Sequence, residues 1–248
     1  MNYKKCPYCD LNYIPLNDFC CEVCYENSPI AKQDAISRKS EQKKTEELNA
    51  RKNLLTLWKS LGFIGFLHTA NFDNFVSIYK SNFLKSRNQL LSEGFVFKDN
   101  AETGVLEKTY YSIKSKVRFY YRPITPTNIS AFMWHNQKNP VMIVFDENLI
   151  FDNDVLFCDG CAGSKLTTIT KTAKNAMSFN WQVIFEKGPF NSNDAIVKNH
   201  RNAEFLISSP LNIQKATKFY FRNFKDYIQA CQMFGKDPRF ELKPKLFY

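Results

Sequence analysis

The sequence predicts an α+β fold, on three observations. From about Gly62 onward, short segments rich in aromatic and β-branched residues alternate with polar stretches, as strands of a sheet do. Two stretches of the same region, Phe72 to Ser81 and Asp226 to Phe234, have helical patterns. No Gly-x-Gly-x-x-Gly motif or phosphate-loop lysine occurs, so a dinucleotide-binding βαβ unit is not expected. The segments expected to be β-rich are FIGFLHT, KVRFYYRP, VMIVFD, WQVIFEK, AEFLISS and KFYFRN.

Residues 1–30 contain two Cys-x-x-Cys pairs and too few apolar side chains to build a core unaided. Four thiolates at this spacing can surround a zinc ion tetrahedrally, and the metal then supplies the folding free energy. We therefore expect a small zinc ribbon in residues 1–30, with structural zinc as its cofactor. Cys20 could replace Cys21 as a ligand, and a pair of redox thiols is the alternative for either motif. The expected ligands are Cys6, Cys9, Cys21 and Cys24.

Residues 31–59 are rich in Gln, Glu, Lys, Arg and Ala and contain neither Gly nor Pro. This composition predicts a charged helical linker. Its last turns carry Leu54, Leu55, Leu57 and Trp58, which predicts that they pack on the next domain. That domain is expected to cover residues 60–248.

The composition favours a polyanionic partner. The chain has 34 Lys and Arg against 24 Asp and Glu, a formal net charge of +10. Nucleic acid is the natural candidate and an anionic membrane surface the next, although a bias toward Lys and Asn can also raise the net charge without a partner. No apolar run approaches the ~18 residues of a membrane span, and no signal peptide is visible. We therefore expect a cytoplasmic protein without disulfides.

Four short stretches carry residues suited to chemistry. The first contains His68 and Thr69 in FLHTANFDNF, and the second is the aromatic run VRFYYRPITP, with Tyr120 and Tyr121. The third is FCDG, from residue 157 to residue 160. The fourth, HRNAEFLI, places Glu204 in an alternating apolar strand, where a carboxylate is costly unless it has a partner or a role.

In this order, the four stretches resemble the DarT-type ADP-ribosyltransferases, bacterial toxins that move ADP-ribose from NAD onto nucleic-acid bases. The resemblance runs from about Gly62 to Phe221 and implies a split antiparallel β-sheet core with helices, preceded here by the small zinc ribbon. It further implies that Glu204 is the catalytic glutamate. It places His68 and Thr69 at the nicotinamide end of NAD, with Tyr120 and Tyr121 lining the cofactor or base pocket.

Two departures from the family pattern bear on the site. Family members usually carry an Arg-Arg pair ahead of the aromatic run, whereas this chain has Lys114, Lys116 and Arg118 there and an isolated Arg87 further back. After the run, Arg122 precedes Pro123 where the family often has Asn. The loop that follows is expected to contact substrate, so this change bears on the choice of base or strand.

The resemblance implies an NAD-dependent ADP-ribosyltransferase that modifies a nucleic-acid base in a toxin–antitoxin or phage-defence system, with a neutralising antitoxin protein as partner. Single-stranded DNA is the family default and RNA the runner-up, since aromatic stacking reads either polymer. A catalytically inactive zinc-containing module that binds nucleic acid or an adaptor is the alternative from another class. A transferase that modifies protein is a third possibility.

Overall fold

The computed structural model describes residues 3–5, 13–15, 29–95, 111–133, 139–189, 191 and 193–247. The chain divides into two compact units, Met1–Asn49 and Ala50–Tyr248. The four cysteines expected to bind zinc, and Cys20, lie outside the described residues. The zinc ribbon remains a prediction, and so does the division of the chain into residues 1–30, 31–59 and 60–248.

The described residues form a mixture of strands and helices. The strands are β1 (Tyr3–Lys5), β2 (Tyr13–Pro15), β3 (Phe66–Asn71), β4 (Phe83–Leu84), β5 (Lys116–Tyr120), β6 (Pro140–Phe145), β7 (Leu156–Cys158), β8 (Ile169–Thr170), β9 (Glu204–Ser208), β10 (Leu211–Asn212), β11 (Ala216–Phe221) and β12 (Phe240–Leu242). The helices are α1 (Pro29–Ser60), α2 (Phe72–Ser81), α3 (Arg87–Ser92), α4 (Tyr111–Lys114), α5 (Pro126–Met133), α6 (Ala173–Ala176), α7 (Trp181–Phe185), α8 (Ala195–His200) and α9 (Phe224–Phe234). Short 3-10 helices cover Glu147–Phe151, Ile213–Lys215 and Pro244–Phe247.

In the first unit, β1 and β2 pair as an antiparallel hairpin. The second unit is built on an eight-stranded sheet in the order β12-β11-β6-β3-β5-β9-β7-β8. Its neighbouring strands are antiparallel except for the parallel pair of β11 with β12. This mixed, mostly antiparallel architecture confirms the α+β fold class.

Apolar residues in the last turns of α1 anchor the core of the second unit. Leu54 and Trp58 are fully buried. The indole of Trp58 makes tilted and edge contacts with five aromatic rings, which are those of Phe63, Phe66, Tyr121, Phe157 and Trp181. Such offset and edge-on arrangements are the favourable ones for aromatic pairs. The apolar end predicted for this helix is therefore a packing surface.

Alternation along the strands gives the sheet two different faces. One face carries Phe66, Phe119 and Phe205, which belong to the main aromatic core. The opposite face carries Leu67 and Leu206, which belong to two smaller apolar clusters under α5 and beside β7. Polar side chains on this second face can reach ligands without crossing the main core.

The sheet opens between β3 and β5. Only Leu67 and Tyr120 are paired between these strands, whereas β3 pairs with β6 over six residues and β5 with β9 over five. Beyond that one pair, β3 and β5 do not continue as a paired ladder. This opening corresponds to the split sheet that the family resemblance implied.

Helix boundaries follow from local caps. Asn71 ends β3 and begins α2 by accepting a hydrogen bond from the Asn74 backbone N–H at 2.8 Å, and Asn82 ends that helix at φ 61°. Asn223 begins α9 in the same way by accepting from the Asp226 N–H. The two helices predicted from the sequence are thus confirmed, α9 beginning two residues earlier than expected.

One β-rich prediction is wrong. The segment WQVIFEK forms helix α7 rather than a strand. Asn180 caps it through the Val183 N–H, and the indole N–H of Trp181 donates to the Ala176 carbonyl. Short apolar runs fit a buried helix and a buried strand equally well, so here the polar cap decides.

None of the helices in the described part of the chain combines the length and the apolarity that a bilayer crossing requires.

Candidate functional site

A buried carboxylate lies at the start of β9, which is separated from the opening of the sheet by β5. Glu204 pairs with Tyr120 in the ladder of β9 with β5, and its side chain is only 3% exposed. Arg118, two residues before Tyr120 and therefore on the same face, donates from Nη2 to Oε1 at 2.8 Å and to Oε2 at 2.6 Å. The side chain of Arg118 is 30% exposed. One end of this ion pair is thus sealed and the other is accessible.

A second donor holds the carboxylate from the loop between β7 and β8. The backbone N–H of Ala162 donates to Oε2 of Glu204 at 2.6 Å. The thiol of Cys161 lies beside the same pair, with its Sγ 3.6 Å from Nη2 of Arg118. Burial and the charge of Glu204 raise the pKa of the Cys161 thiol, which keeps it protonated. The loop therefore contributes a backbone donor rather than a thiolate nucleophile.

Two arginines lie close enough in this region for the charge of one to change the pKa of the other. Burial opposes the charged form of Arg118, but the charge of Glu204 outweighs it and raises the pKa of this guanidinium. Arg87, in α3, has its pKa lowered by burial and by the charge of Arg118. The isolated Arg87 of the sequence therefore lies within electrostatic range of Arg118 and adds a second cation near it.

His68 bridges the opening between β3 and β5. Its Nδ1 lies 3.1 Å from the carbonyl oxygen of Arg118, so this nitrogen must carry the proton and donate. Burial lowers the pKa of His68, against the opposing effect of this hydrogen bond. A neutral ring with Nδ1 protonated leaves Nε2 as a hydrogen-bond acceptor.

Two further polar side chains lie along β3. The Nδ2 of Asn128, in α5, is 3.4 Å from the hydroxyl of Thr69 and also donates to the Pro123 carbonyl at 3.1 Å. Asn71 is 6% exposed, and its Nδ2 has no hydrogen-bond partner among the described residues. A buried donor without a partner is costly, so a polar ligand or water at this end of β3 would satisfy it.

The two tyrosines of the aromatic run have different environments. Tyr120 lies on the face of Glu204, and burial together with the charge of Glu204 raises the pKa of its phenol. Tyr121 is fully buried in the main core, where its ring lies 5.0 Å from that of Trp58 and 5.1 Å from that of Trp181. The expectation that both line a pocket is therefore corrected for Tyr121, because neighbouring strand residues point to opposite faces.

The arrangement suits stabilisation of positive charge near a carboxylate. Glu204 is held by three donated hydrogen bonds, which leave part of the accepting capacity of its two oxygens for a ligand. The Nε of Arg118 is buried and has no hydrogen-bond partner in the described part of the chain. No cluster of three or more His, Cys, Asp or Glu side chains that could hold a metal occurs among these residues.

Sequence reasoning did not single out two members of this group. Arg118 was one of four basic residues named in place of the family Arg-Arg pair, and its spacing of two from Tyr120 places both on one strand face. The Ala162 N–H gives no sequence signal, because any residue except Pro supplies a backbone donor.

Comparison with known proteins bears on the identity of the fold. A family model described as "DarT: ssDNA thymidine ADP-ribosyltransferase, DarT" matches residues 67–248. No curated protein matches the chain.

Solved structures support the same assignment. The DarT of Thermus sp. 2.9 in complex with ADP-ribosylated ssDNA superposes with a TM-score of 0.63 at 13% identity, covering 74% of this chain and 95% of that one. The same protein in complex with NAD+ gives a TM-score of 0.58 at 12% identity, over 74% of this chain and 96% of that one. Thermosipho africanus DarTG in complex with ADP-ribose gives 0.64 at 14% identity, and the match covers 74% of this chain but 50% of DarTG. At these identities the structural likeness concerns the fold, and the family model covers most of the second unit. The chain belongs to the DarT family.

Proposed function

We propose that the protein transfers ADP-ribose from NAD to a base of single-stranded DNA, with Glu204 as the catalytic carboxylate. The observation that carries the proposal is the buried Glu204 on β9, held by Arg118 and by the Ala162 N–H. Burying a carboxylate this deeply is costly unless hydrogen-bond partners such as these compensate it. Packing of the strand does not require a carboxylate at this position, because the flanking residues are apolar.

The reaction breaks the bond between ribose C1′ and the nicotinamide nitrogen, and the bonding electron pair leaves with nicotinamide. A new bond forms from a base nitrogen to C1′, and the proton of that nitrogen must be removed. Glu204 suits both needs, because its charge stabilises the positive charge developing at C1′ and its oxygens can orient a ribose hydroxyl or accept the proton. The sealed side of the ion pair keeps water from competing as acceptor.

Arg118 is our candidate for the cation that the family supplies from an Arg-Arg pair. Its Nη2 fixes both oxygens of Glu204, and 30% of its side chain is accessible to a ligand. A guanidinium with spare donors can bind the pyrophosphate or a ribose of NAD. Arg87 adds a second positive charge nearby.

NAD contacts are proposed for three residues predicted from the sequence. His68 lies on the face of the sheet opposite Glu204, with its ring 6.2 Å from that of Phe119, but at the opening between β3 and β5 its Nε2 is available as an acceptor for the nicotinamide amide or a ribose hydroxyl. The hydroxyl of Thr69 and the ring of Tyr120 lie on the Glu204 face of the sheet. Tyr121 is left out because it is a core residue. The Thermus DarT crystallised with NAD+ is consistent with a cofactor site in this fold.

The acceptor proposed is single-stranded DNA, as in the family description and in the Thermus DarT complex with ADP-ribosylated ssDNA. The net charge of +10 supports a polyanion. RNA remains the runner-up, because Arg122 and the loop after Pro123 depart from the family pattern. A base must leave its stack before a ring nitrogen is reached, and a single strand makes this easier than a duplex.

The biological setting is proposed from the family alone. Membership of the DarT family supports a toxin–antitoxin or phage-defence role, with a neutralising antitoxin protein as partner. A cytoplasmic location fits a nucleic-acid target. The zinc ribbon of Cys6, Cys9, Cys21 and Cys24 is proposed to bind nucleic acid or a partner protein.

The proposal is tested by incubating the purified protein with labelled NAD and matched pools of single-stranded DNA, RNA and cell protein. We expect label on single-stranded DNA and none on protein, and no label with Glu204→Gln. Label on RNA or on protein alone would reassign the acceptor class. No label on any pool, from folded protein, would contradict the enzyme and favour the inactive binding module.

A further inference from the structure

The loop between β7 and β8 brings its backbone to the carboxylate that we propose to be catalytic. The Ala162 N–H donates to Oε2 of Glu204 at 2.6 Å, and Arg118 holds both oxygens from another direction. A loop donor can orient a carboxylate only if the loop itself is fixed. The question is therefore what fixes residues 160–162.

Asn199, in α8, closes a ring of hydrogen bonds with this loop. Its Oδ1 accepts from the Cys161 N–H at 3.3 Å, and its Nδ2 donates to Oγ1 of Thr167 at 3.0 Å. The Thr167 hydroxyl in turn donates to the Cys161 carbonyl at 2.7 Å. Both backbone groups of Cys161 are thus bound by one side-chain pair, directly before the residue that contacts Glu204.

Close packing restricts the same point. A Cβ added to Gly160 would lie 2.1 Å from Nδ2 of Asn199 and 2.7 Å from Oγ1 of Thr167, so only glycine allows this approach. Asn199 is 6% exposed. In the next residue of α8, Nδ1 of His200 donates to the Asp159 carbonyl at 2.6 Å. Helix α8 therefore holds the loop on both sides of Gly160, at the Asp159 carbonyl and at the Cys161 N–H.

We infer that Asn199, with Thr167, is a positioning residue for the transfer reaction, acting through the Ala162 N–H on the orientation of Glu204. The inference rests on the proposed function and goes beyond it by assigning a role to α8 and to the loop. Neither side chain needs to touch NAD or DNA. The charged and titratable groups that interact with Glu204 are Arg118, Tyr120, Tyr121, Cys158 and Cys161, and the variants below leave all of them in place.

Thr167 offers a matched pair of variants. Thr167→Val removes the hydroxyl at nearly constant shape, and Thr167→Ser keeps it. We expect Thr167→Val and Asn199→Ala to lower kcat on the order of 10-fold, because a misplaced catalytic group lowers rate more than binding. The KM for NAD should change by less than about 2-fold, and Thr167→Ser should recover most of the rate. Asn223→Ala, which removes the cap of α9, serves as the control for a general loss of stability.

If the hydrogen bonds among Asn199, Thr167 and Cys161 only stabilised the fold, the variants would give a different set of kcat values. Equal losses in Thr167→Val and Thr167→Ser, or an unchanged kcat in Thr167→Val and Asn199→Ala, would overturn the inference. If the wild type labels no acceptor at all, the proposed function fails and the inference fails with it. If the wild type is active and the variants behave like it, the inference alone fails.

Discussion

Two arginine–carboxylate pairs in the second unit have nearly the same exposure but differ in how the arginine is used. At the edge of the sheet, Asp237 is 10% exposed and Arg239 28%, and in the pair of β9 with β5 Glu204 is 3% exposed and Arg118 30%. Arg239 donates from Nε and Nη2 to Asp237 and from Nη1 to backbone carbonyls, and it stacks on an aromatic ring. Arg118 uses Nη2 alone, and its buried Nε has no partner in the described residues.

The difference separates a structural pair from a candidate catalytic pair. Arg239 ties Asp237 to the carbonyls of Ile213 and Ala216, so it joins the loop before β12 to the start of β11. The hydroxyl of Tyr79 completes the set by donating to Asp237 at 2.7 Å. A site whose donors are all satisfied internally has nothing to offer a ligand, whereas the Arg118 site retains donors and acceptors.

The largest effect is expected on the rate when the two carboxylates are neutralised in turn. Glu204→Gln should lower the rate of ADP-ribose transfer by roughly 10²–10⁴-fold, the usual contribution of a positioned acid or base. Asp237→Asn should leave the rate within about 3-fold of wild type. Single-turnover rates at a temperature where both variants are folded measure this. Comparable rate losses in the two variants would remove the distinction between the pairs.

The arginines should separate in the same way, with a smaller effect. Arg118→Lys keeps the charge but loses the planar fork, so we expect a loss of transfer rate on the order of 10²-fold with little change in thermal stability. Arg239→Lys should leave kcat unchanged and lower the melting temperature. Kinetics and thermal unfolding of the two Lys variants provide the test, and a fully active Arg118→Lys would exclude a requirement for a guanidinium at this position.

Stability should respond mainly to the structural pair. Asp237→Asn removes the charge that Arg239 binds, and we expect a loss of about 1–3 kcal/mol in the free energy of unfolding, less than for a fully buried pair because Arg239 is partly exposed. Denaturant titration measures the loss. A variant as stable as wild type would mean that the backbone contacts of Arg239 suffice.

The pH dependence of stability should reveal the titration of the same carboxylate, Asp237. Although burial opposes it, hydrogen bonds from Arg239 and Tyr79 lower the pKa of Asp237 from 3.8 to about 2. An acid with a lowered folded pKa contributes stability above its unfolded pKa, and this contribution is lost as the pH falls from about 4 to about 2. The difference in unfolding free energy between wild type and Asp237→Asn should therefore shrink over that range. A constant difference would contradict the lowered pKa.

A smaller effect is expected at His68. Burial lowers its pKa below 6.5, so the unfolded state binds a proton that the folded state rejects. Stability from the neutral ring is therefore complete above about pH 6.5 and decreases as the pH falls below it. His68→Gln should lack this decrease, which chemical unfolding between about pH 8 and pH 5 can detect. Parallel curves for the two proteins would contradict a buried neutral ring.

Periodicity predicted most of the second unit. The alternation in VMIVFD and AEFLISS corresponds to β6 and β9, and the apolar spacing after Asn71 corresponds to α2. The method failed at WQVIFEK, where a short apolar run carries no period and the cap at Asn180 determines the outcome. The assignment of both Tyr120 and Tyr121 to one pocket came from the family resemblance, and alternation along the chain separates the two side chains.

The candidate site was only partly accessible to sequence reasoning. Glu204 could be singled out because a carboxylate within an apolar strand requires an explanation. Its partner Arg118 lies 86 residues away in the chain, and no local pattern indicates which strands become neighbours. The contribution of Ala162 is made by its backbone and depends on the path of a loop held by Asn199 and Thr167. Such contacts are properties of the fold.

The most direct test of the catalytic assignment is the mass of a single-stranded, thymidine-containing oligonucleotide after incubation with the protein and NAD. We predict that the oligonucleotide gains one ADP-ribose, that one nicotinamide is released for each group transferred, and that Asp237→Asn performs the same reaction while Glu204→Gln does not. An unchanged oligonucleotide with folded wild-type protein, or an equal mass gain with Glu204→Gln, would contradict the assignment of Glu204 and its arginine as the catalytic pair.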